Sequence, residues 1–246
     1  MLIIGNWKAY VDSKEDAKKL AAASKRAASG RKHKIVVAPP YPYLGMLKPE
    51  RPSFLLAAQD VSPTTAGAAT GEVSAATLRD LGASYVIVGH SERRAMGETD
   101  AVILTKVQRA LANGLTPILC IGERARDHEA KYLAFLRSQI DAVFSKLLPK
   151  ERTNVVIAYE PIWAIGKSAL DAIAPNDLTE MVLYIRKVLG AYLPGKTALK
   201  TPILYGGSAE PDNARQLASG TGIDGFLVGH ASADSKTFAA LVKVLS

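Results

Sequence analysis

The stretch Thr99–Cys120, TDAVILTKVQRALANGLTPILC, holds one complete helix-then-strand repeat. Ile103, Val107, Ala110 and Leu111 fall on one face of a 3.6-residue period, with charged residues on another. Asn113 and Gly114 supply a stop signal, and the apolar run 115–120 follows as a strand. The same alternation runs along the whole chain. Candidate strands cover 2–6, 34–38, 54–58, 85–88, 115–120, 154–159, 202–205 and 224–228. Helix-like stretches lie near 13–28, 42–48, 74–82, 99–113, 127–148, 175–191, 211–219 and 233–245. Eight strand-then-helix units with short connections imply an α/β fold with a parallel sheet. Their number favours closure into a (β/α)8 barrel, while a doubly wound sheet stays open on pattern alone. No Ser- or Pro-rich linker and no low-complexity block interrupts the series, so residues 1–246 read as a single domain.

Composition narrows the functional classes. With 48% hydrophobic and 22% charged residues among 246, the chain has the make-up of an ordinary globular protein with a substantial core. No uncharged apolar run approaches the length of a membrane span. The strand-like Leu2-Ile3-Ile4 directly after Met1 leaves no room for a signal peptide. A single cysteine, Cys120, cannot form an internal disulfide, which fits a reducing cytoplasm. Flanked by Ile118, Leu119 and Ile121, it reads as a buried strand thiol rather than a nucleophile. The net charge of +8 calls for an anionic partner to be considered. The densest basic stretch, Lys25-Arg26 with Arg31-Lys32-His33-Lys34, has no interleaved aromatic residues. It reads as a solvated face rather than a nucleic-acid surface; a small phosphorylated substrate is compatible with the charge.

In such a barrel, chemistry belongs at the carboxyl ends of the strands, and the unusual residues gather there. Asn6 and Lys8 end the first strand, and His90 follows the fourth. Glu160 follows the sixth, Gly206-Gly207-Ser208 the seventh and Gly229 the eighth. Glu160 lies in Ala158–Gly166, AYEPIWAIG, between an apolar strand and a turn stiffened by Pro161 and Trp163. A carboxylate there is either a buried partner of an arginine or a general base in a site that closes against water. His90 is either a core histidine bonded to backbone or a neutral hydrogen-bond donor kept uncharged by a helix opening at Ser91 or Glu92. Glu92 is either a second base or an ion-pair partner of Arg93 and Arg94. Regular alternation places Asn6 and Lys8 on one face, opposite Trp7. Lys8 is then either solvated at the strand end or in need of an anion. Two glycine-bearing loops after strands seven and eight suit a phosphate cradle. Base, neutral acid, cation and phosphate cradle together suit proton abstraction beside a carbonyl. No metal-ligand cluster or dinucleotide fingerprint competes.

The chain resembles the triosephosphate isomerase family over essentially its whole length. The matching segments are Gly5–Lys8, Thr70–Ser74, Val88–Arg94, Ala158–Gly166, Tyr205–Ser208 and Gly225–Gly229. The resemblance implies a TIM barrel that interconverts dihydroxyacetone phosphate and D-glyceraldehyde 3-phosphate in the cytoplasm, with no cofactor and no metal. It implies Glu160 as the base, His90 as the neutral acid that shuttles protons between the two oxygens, and Lys8 and Asn6 as stabilisers of the enediolate. Backbone N–H groups of Gly166, Ser208, Gly229 and His230 would hold the phosphate. It further implies a homodimer in which the loop at 60–74 enters the partner, with Thr70 near the other subunit's Asn6 and Lys8, and Glu72 paired with Arg93.

Two features depart from the family pattern. After Gly166 the lid runs Lys167–Ile173 without the usual second glycine, and slower or altered closure is expected. His230 stands where the family often has glycine. Its ring either points away from the phosphate, the reading preferred here, or contacts it directly. A related isomerase of tetrulose phosphates would keep Lys8, His90 and Glu160; a noncatalytic barrel would not need them.

Overall fold

The computed structural model describes residues 1–29, 33–48, 53–65, 67–166 and 172–246. Arg31 and Lys32 of the basic stretch, and Lys167–Asp171 of the lid, lie outside the described residues. Eight parallel strands close into a barrel in sequence order: β1 (Leu2–Asn6), β2 (Lys34–Ala38), β3 (Leu55–Ala58), β4 (Ala83–Val88), β5 (Thr116–Ile121), β6 (Val156–Tyr159), β7 (Ile203–Tyr205) and β8 (Gly225–Val228). Closure rests on the pairing of β1 with β8, from Leu2 against Gly225 to Gly5 against Val228. That pairing excludes the doubly wound alternative, whose first and last strands would not meet.

The connecting helices are α1 (Lys14–Ala28), α2 (Tyr41–Leu44), α3 (Ala75–Asp80), α4 (Ser91–Ala95), α5 (Asp100–Ala112), α6 (Lys131–Phe144), α7 (Pro149–Arg152), α8 (Pro175–Leu189), α9 (Thr197–Lys200), α10 (Pro211–Ala218) and α11 (Ser235–Val244). Their starts follow local chemistry. The Ser13 hydroxyl accepts from the Asp16 N–H at 3.0 Å at the head of α1, and Thr99 caps α5 in the same way. The expected stretch 127–148 begins late because both Asp127 carboxylate oxygens accept N–H groups of Lys131 and Tyr132, which holds the preceding residues in a turn. The short helices α7 and α9 lie inside connections that sequence periodicity leaves unmarked, since four residues are too few to show a period.

Alternation along each strand divides the core into two layers. Ile4, Val36, Ile118, Cys120, Val156, Ala158, Leu204 and Leu227 fill the barrel. Their neighbours Ile3, Ile35, Leu119, Ile157 and Tyr159 pack outward among the helices. The register pairs Cys120 with Ala158. Two small side chains thus meet near the top of the lumen, and the next inward position on β6 is Glu160.

Candidate active site

Glu160 continues the inward phase of Val156 and Ala158 just beyond the end of β6. Its N–H donates to the Ile121 carbonyl at 2.8 Å, so the sheet ladder fixes its backbone. The side chain is 2% exposed. Room for it comes from Gly206, where a Cβ would stand 2.9 Å from Glu160 Cγ. One carboxylate oxygen, Oε2, accepts the Ser91 N–H at 2.9 Å. The other, Oε1, lies 3.3 Å from His90 Nε2 but outside hydrogen-bonding geometry, and so is buried without a satisfied bond. An unsatisfied carboxylate oxygen in such surroundings is costly and leaves Glu160 able to exchange its present contacts for others. Burial, followed by the adjacent Glu160 charge, pushes the Cys120 thiol well up, so Cys120 remains a protonated packing group.

His90 caps α4 with its own ring. Nδ1 accepts the Glu92 N–H at 3.2 Å, which requires an unprotonated Nδ1 and places the proton of the neutral ring on Nε2. That N–H faces Glu160 and the cavity. The ring thus accepts a backbone bond through one nitrogen and turns the other toward the cavity.

Lys8 reaches the site by a route different from strand alternation. β1 ends at Asn6, and Lys8 has a left-handed φ of 46°, a conformation uncommon outside glycine. Asn6 Oδ1 accepts the Lys8 N–H at 3.1 Å, and Gln59 Nε2 donates to the Lys8 carbonyl at 2.8 Å. These two bonds hold the turn that aims the ammonium inward. Lys8 Nζ lies 2.7 Å from Glu92. Burial alone would raise the Glu92 carboxyl, but the bond and charge from Lys8 outweigh it and hold the group below the usual carboxylate range. Glu92 is therefore an ionised partner of Lys8 rather than of Arg93 or Arg94.

Within the described residues of this one chain, Arg93 pairs with Asp60 and Glu98. Lys106, 2% exposed, joins the same two carboxylates. Helix α5 brings Lys106 beneath the end of β3, and the buried ammonium recruits the nearby carboxylates to remain charged.

Asn6, Lys8, His90, Gly166, Ser208, Gly229 and His230 line one cavity of about 380 Å³ at the carboxyl ends of the strands. Glu160 stands behind its wall, against His90 and Gly206. Thr70 and Glu72 lie on the exposed loop, away from the cavity. The described start of the lid is held from two sides. Ser208 Oγ donates to the Ala164 carbonyl at 2.9 Å, and Trp163 Nε1 donates to Glu123 at 2.9 Å. Glu123, 1% exposed, also accepts from the Tyr159 hydroxyl at 2.8 Å. Glu123, Gln59, Tyr10 and Glu210 escaped the reading of the sequence. For Glu123 and Gln59 a signal existed, since both follow a strand as Glu160 does. Among the described residues no three His, Cys, Asp or Glu side chains converge as a metal site, and no helix is long and apolar enough to cross a membrane.

A family model described as triosephosphate isomerase matches residues 1–245. The triosephosphate isomerase of Roseiflexus castenholzii is 41% identical, over 100% of this chain and 97% of its own. That of Moorella thermoacetica is 39% identical over 98% and 97%. The enzyme of that name from Dictyostelium discoideum is 41% identical over 85% and 82%.

Proposed function

The chain belongs to the triosephosphate isomerase family and interconverts dihydroxyacetone phosphate and D-glyceraldehyde 3-phosphate; from that premise we propose how its residues divide the work. Glu160 is the base. Its carboxylate leaves the Ser91 N–H, swings past Gly206 into the cavity, removes a proton from the carbon beside the substrate carbonyl and returns it to the neighbouring carbon. His90 donates from Nε2 to the developing enediolate oxygen, its tautomer held by the Glu92 N–H. Lys8 and Asn6 stabilise the negative charge, which counts most where water is excluded. Backbone N–H groups of Gly166, Ser208, Gly229 and His230 receive the phosphate.

The observation that carries this reading is the convergence of His90 Nε2 and Glu160 Oε1 at 3.3 Å beside a cavity that Lys8 also lines. The protein takes a small phosphorylated sugar, uses neither cofactor nor metal, acts in the cytoplasm within glycolysis and gluconeogenesis, and works as a homodimer of chains that each form one catalytic domain over residues 1–246. A coupled assay run in parallel on dihydroxyacetone phosphate and erythrulose phosphates tests the substrate. The expected result is a larger kcat/KM for the triose; a much larger value for the four-carbon sugar would reassign the enzyme.

A further inference from the structure

Two loops from neighbouring strands meet at the mouth of the cavity. The loop after β1 carries Lys8 and Tyr10, the loop after β8 carries Gly229 and His230, and all four residues line the cavity. β1 and β8 pair as far as Gly5 and Val228, so the two loops leave the barrel side by side. A Cβ on Gly229 would stand 3.4 Å from Lys8 Cε, which is ordinary contact between them.

The direction of the His230 N–H depends on the peptide that joins Gly229 to His230. The plane of that peptide is set by the Gly229 ψ of −107°. A trans peptide is planar, so its C=O and N–H turn together and point opposite ways. The carbonyl is held from the core side. It accepts the Ser232 hydroxyl at 2.7 Å and the Ser232 N–H at 2.9 Å. Ser232 is buried, with its Cβ 3.0 Å from where a Cβ on Gly5 of β1 would stand. The other end of the peptide, His230, is exposed. There the Tyr10 ring meets the imidazole edge to face, with centroids 5.7 Å apart and planes at 85°. Tyr10 is anchored in turn, since its N–H donates to the carbonyl of buried Trp7 at 3.1 Å. One peptide is thus gripped from β1 at both ends, by Ser232 packed on Gly5 and by Tyr10.

We propose that Tyr10 is a positioning residue of the phosphate cradle, its ring holding His230 so that the Gly229–His230 peptide keeps its N–H toward the phosphate. This role rests on the cradle proposed above and adds to it the side chain that keeps one donor in place. Glycine at 229 leaves ψ free to turn. Without a partner for His230, the N–H must be ordered as the phosphate arrives, and that ordering subtracts from binding. The contact is made by the ring, so the Tyr10 hydroxyl is not required for it.

The test compares D-glyceraldehyde 3-phosphate with D-glyceraldehyde, which keeps the reacting carbons and lacks the phosphate. In Tyr10→Leu, kcat/KM for the phosphorylated substrate is expected to fall about two- to tenfold, the size of one aromatic pair. The loss lies mostly in KM, and turnover of D-glyceraldehyde shows no matching loss. Competitive inhibition by inorganic phosphate, read at one fixed pH, weakens by the same factor. Tyr10→Phe keeps the ring and retains both values. In a His230→Ala background the pair is already gone, and Tyr10→Leu adds nothing further. Equal losses on both substrates would overturn the proposal, because they would place the effect of Tyr10 on Lys8 or on the fold. So would an unchanged Tyr10→Leu, a Tyr10→Phe as impaired as Tyr10→Leu, or a full additional loss in the His230→Ala background. A wild-type protein that handled the two substrates equally well would strike at the phosphate cradle itself. A strong wild-type preference for the phosphorylated substrate that Tyr10→Leu left unmoved would strike at the role of Tyr10 alone.

Discussion

Glu160 is held by forces that oppose its function as much as they prepare it. The Ser91 N–H stabilises its charge in a buried site, yet that bond also keeps the carboxylate out of the cavity lining. The unsatisfied Oε1 limits how deep this resting position is. The proposed mechanism uses a swing across Gly206, so the base and its resting bond act in sequence. Glu160→Gln keeps the shape and the acceptor for Ser91 while removing the base. Turnover is expected to fall at least ~10²–10⁴-fold with little change in thermal stability, as read by steady-state kinetics beside a melting curve. Unchanged turnover would remove Glu160 from the mechanism. His90 shows the same economy, since a single N–H from Glu92 selects the tautomer that places the donor on the cavity side.

At the scale of elements, the site depends on how closely the ends of β5 and β6 approach. Gly122 follows β5, and a Cβ built there would lie 1.7 Å from the Glu160 carbonyl oxygen. No side-chain rotation relieves a clash with backbone. Gly122→Ala must therefore part the strand ends and shift Glu160. The expected cost is about 1–3 kcal/mol of stability, together with a fall in kcat larger than any change in KM; denaturant melts and kinetics on the same preparation check both. A substitution that left both measures intact would show that the strand ends are looser than their register indicates. The loop after β5 also contributes Glu123, which gathers Tyr159 and Trp163. The residue before the base and the third residue beyond it are thus tied to one carboxylate, while Ser208 holds Ala164 from the other side.

On the scale of the whole molecule, the loop bearing Thr70 and Glu72 is exposed, and Met96 after α4 is 80% exposed. In the proposed homodimer this loop and Met96 would face the second copy. Sedimentation is expected to give twice the 26.2 kDa chain mass, and a stable pair should bury at least ~1,200 Å². Met96→Glu together with Thr70→Arg should shift the protein toward monomer and lower activity in a concentration-dependent way. A wild-type protein that sediments as a monomer at micromolar concentration would refute the dimer. The cluster of Arg93, Lys106, Asp60 and Glu98 lies behind the same loops and ties α5 to the ends of β3 and β4.

Periodicity was enough to place all eight strands, because apolar alternation and helix caps are local properties of the chain. The match is closest at β1 and β2, where Leu2–Asn6 and Lys34–Ala38 are the expected bounds. The carboxyl-end rule likewise brought Asn6, Lys8, His90 and Glu160 into view from strand position alone. What remained hidden depends on partners distant in sequence. Lys8 meets Glu92 across 84 residues, and Ser91 meets Glu160 across 69, so no local pattern records either bond. The barrel's closure depends on β1 meeting β8, and the direction of Lys8 on a left-handed turn that alternation does not foresee. Thus the order of residues determined which groups stand at the mouth of the barrel. Only the tertiary structure decided which of them are already paired, since pairing depends on distances across the barrel that strand spacing does not contain.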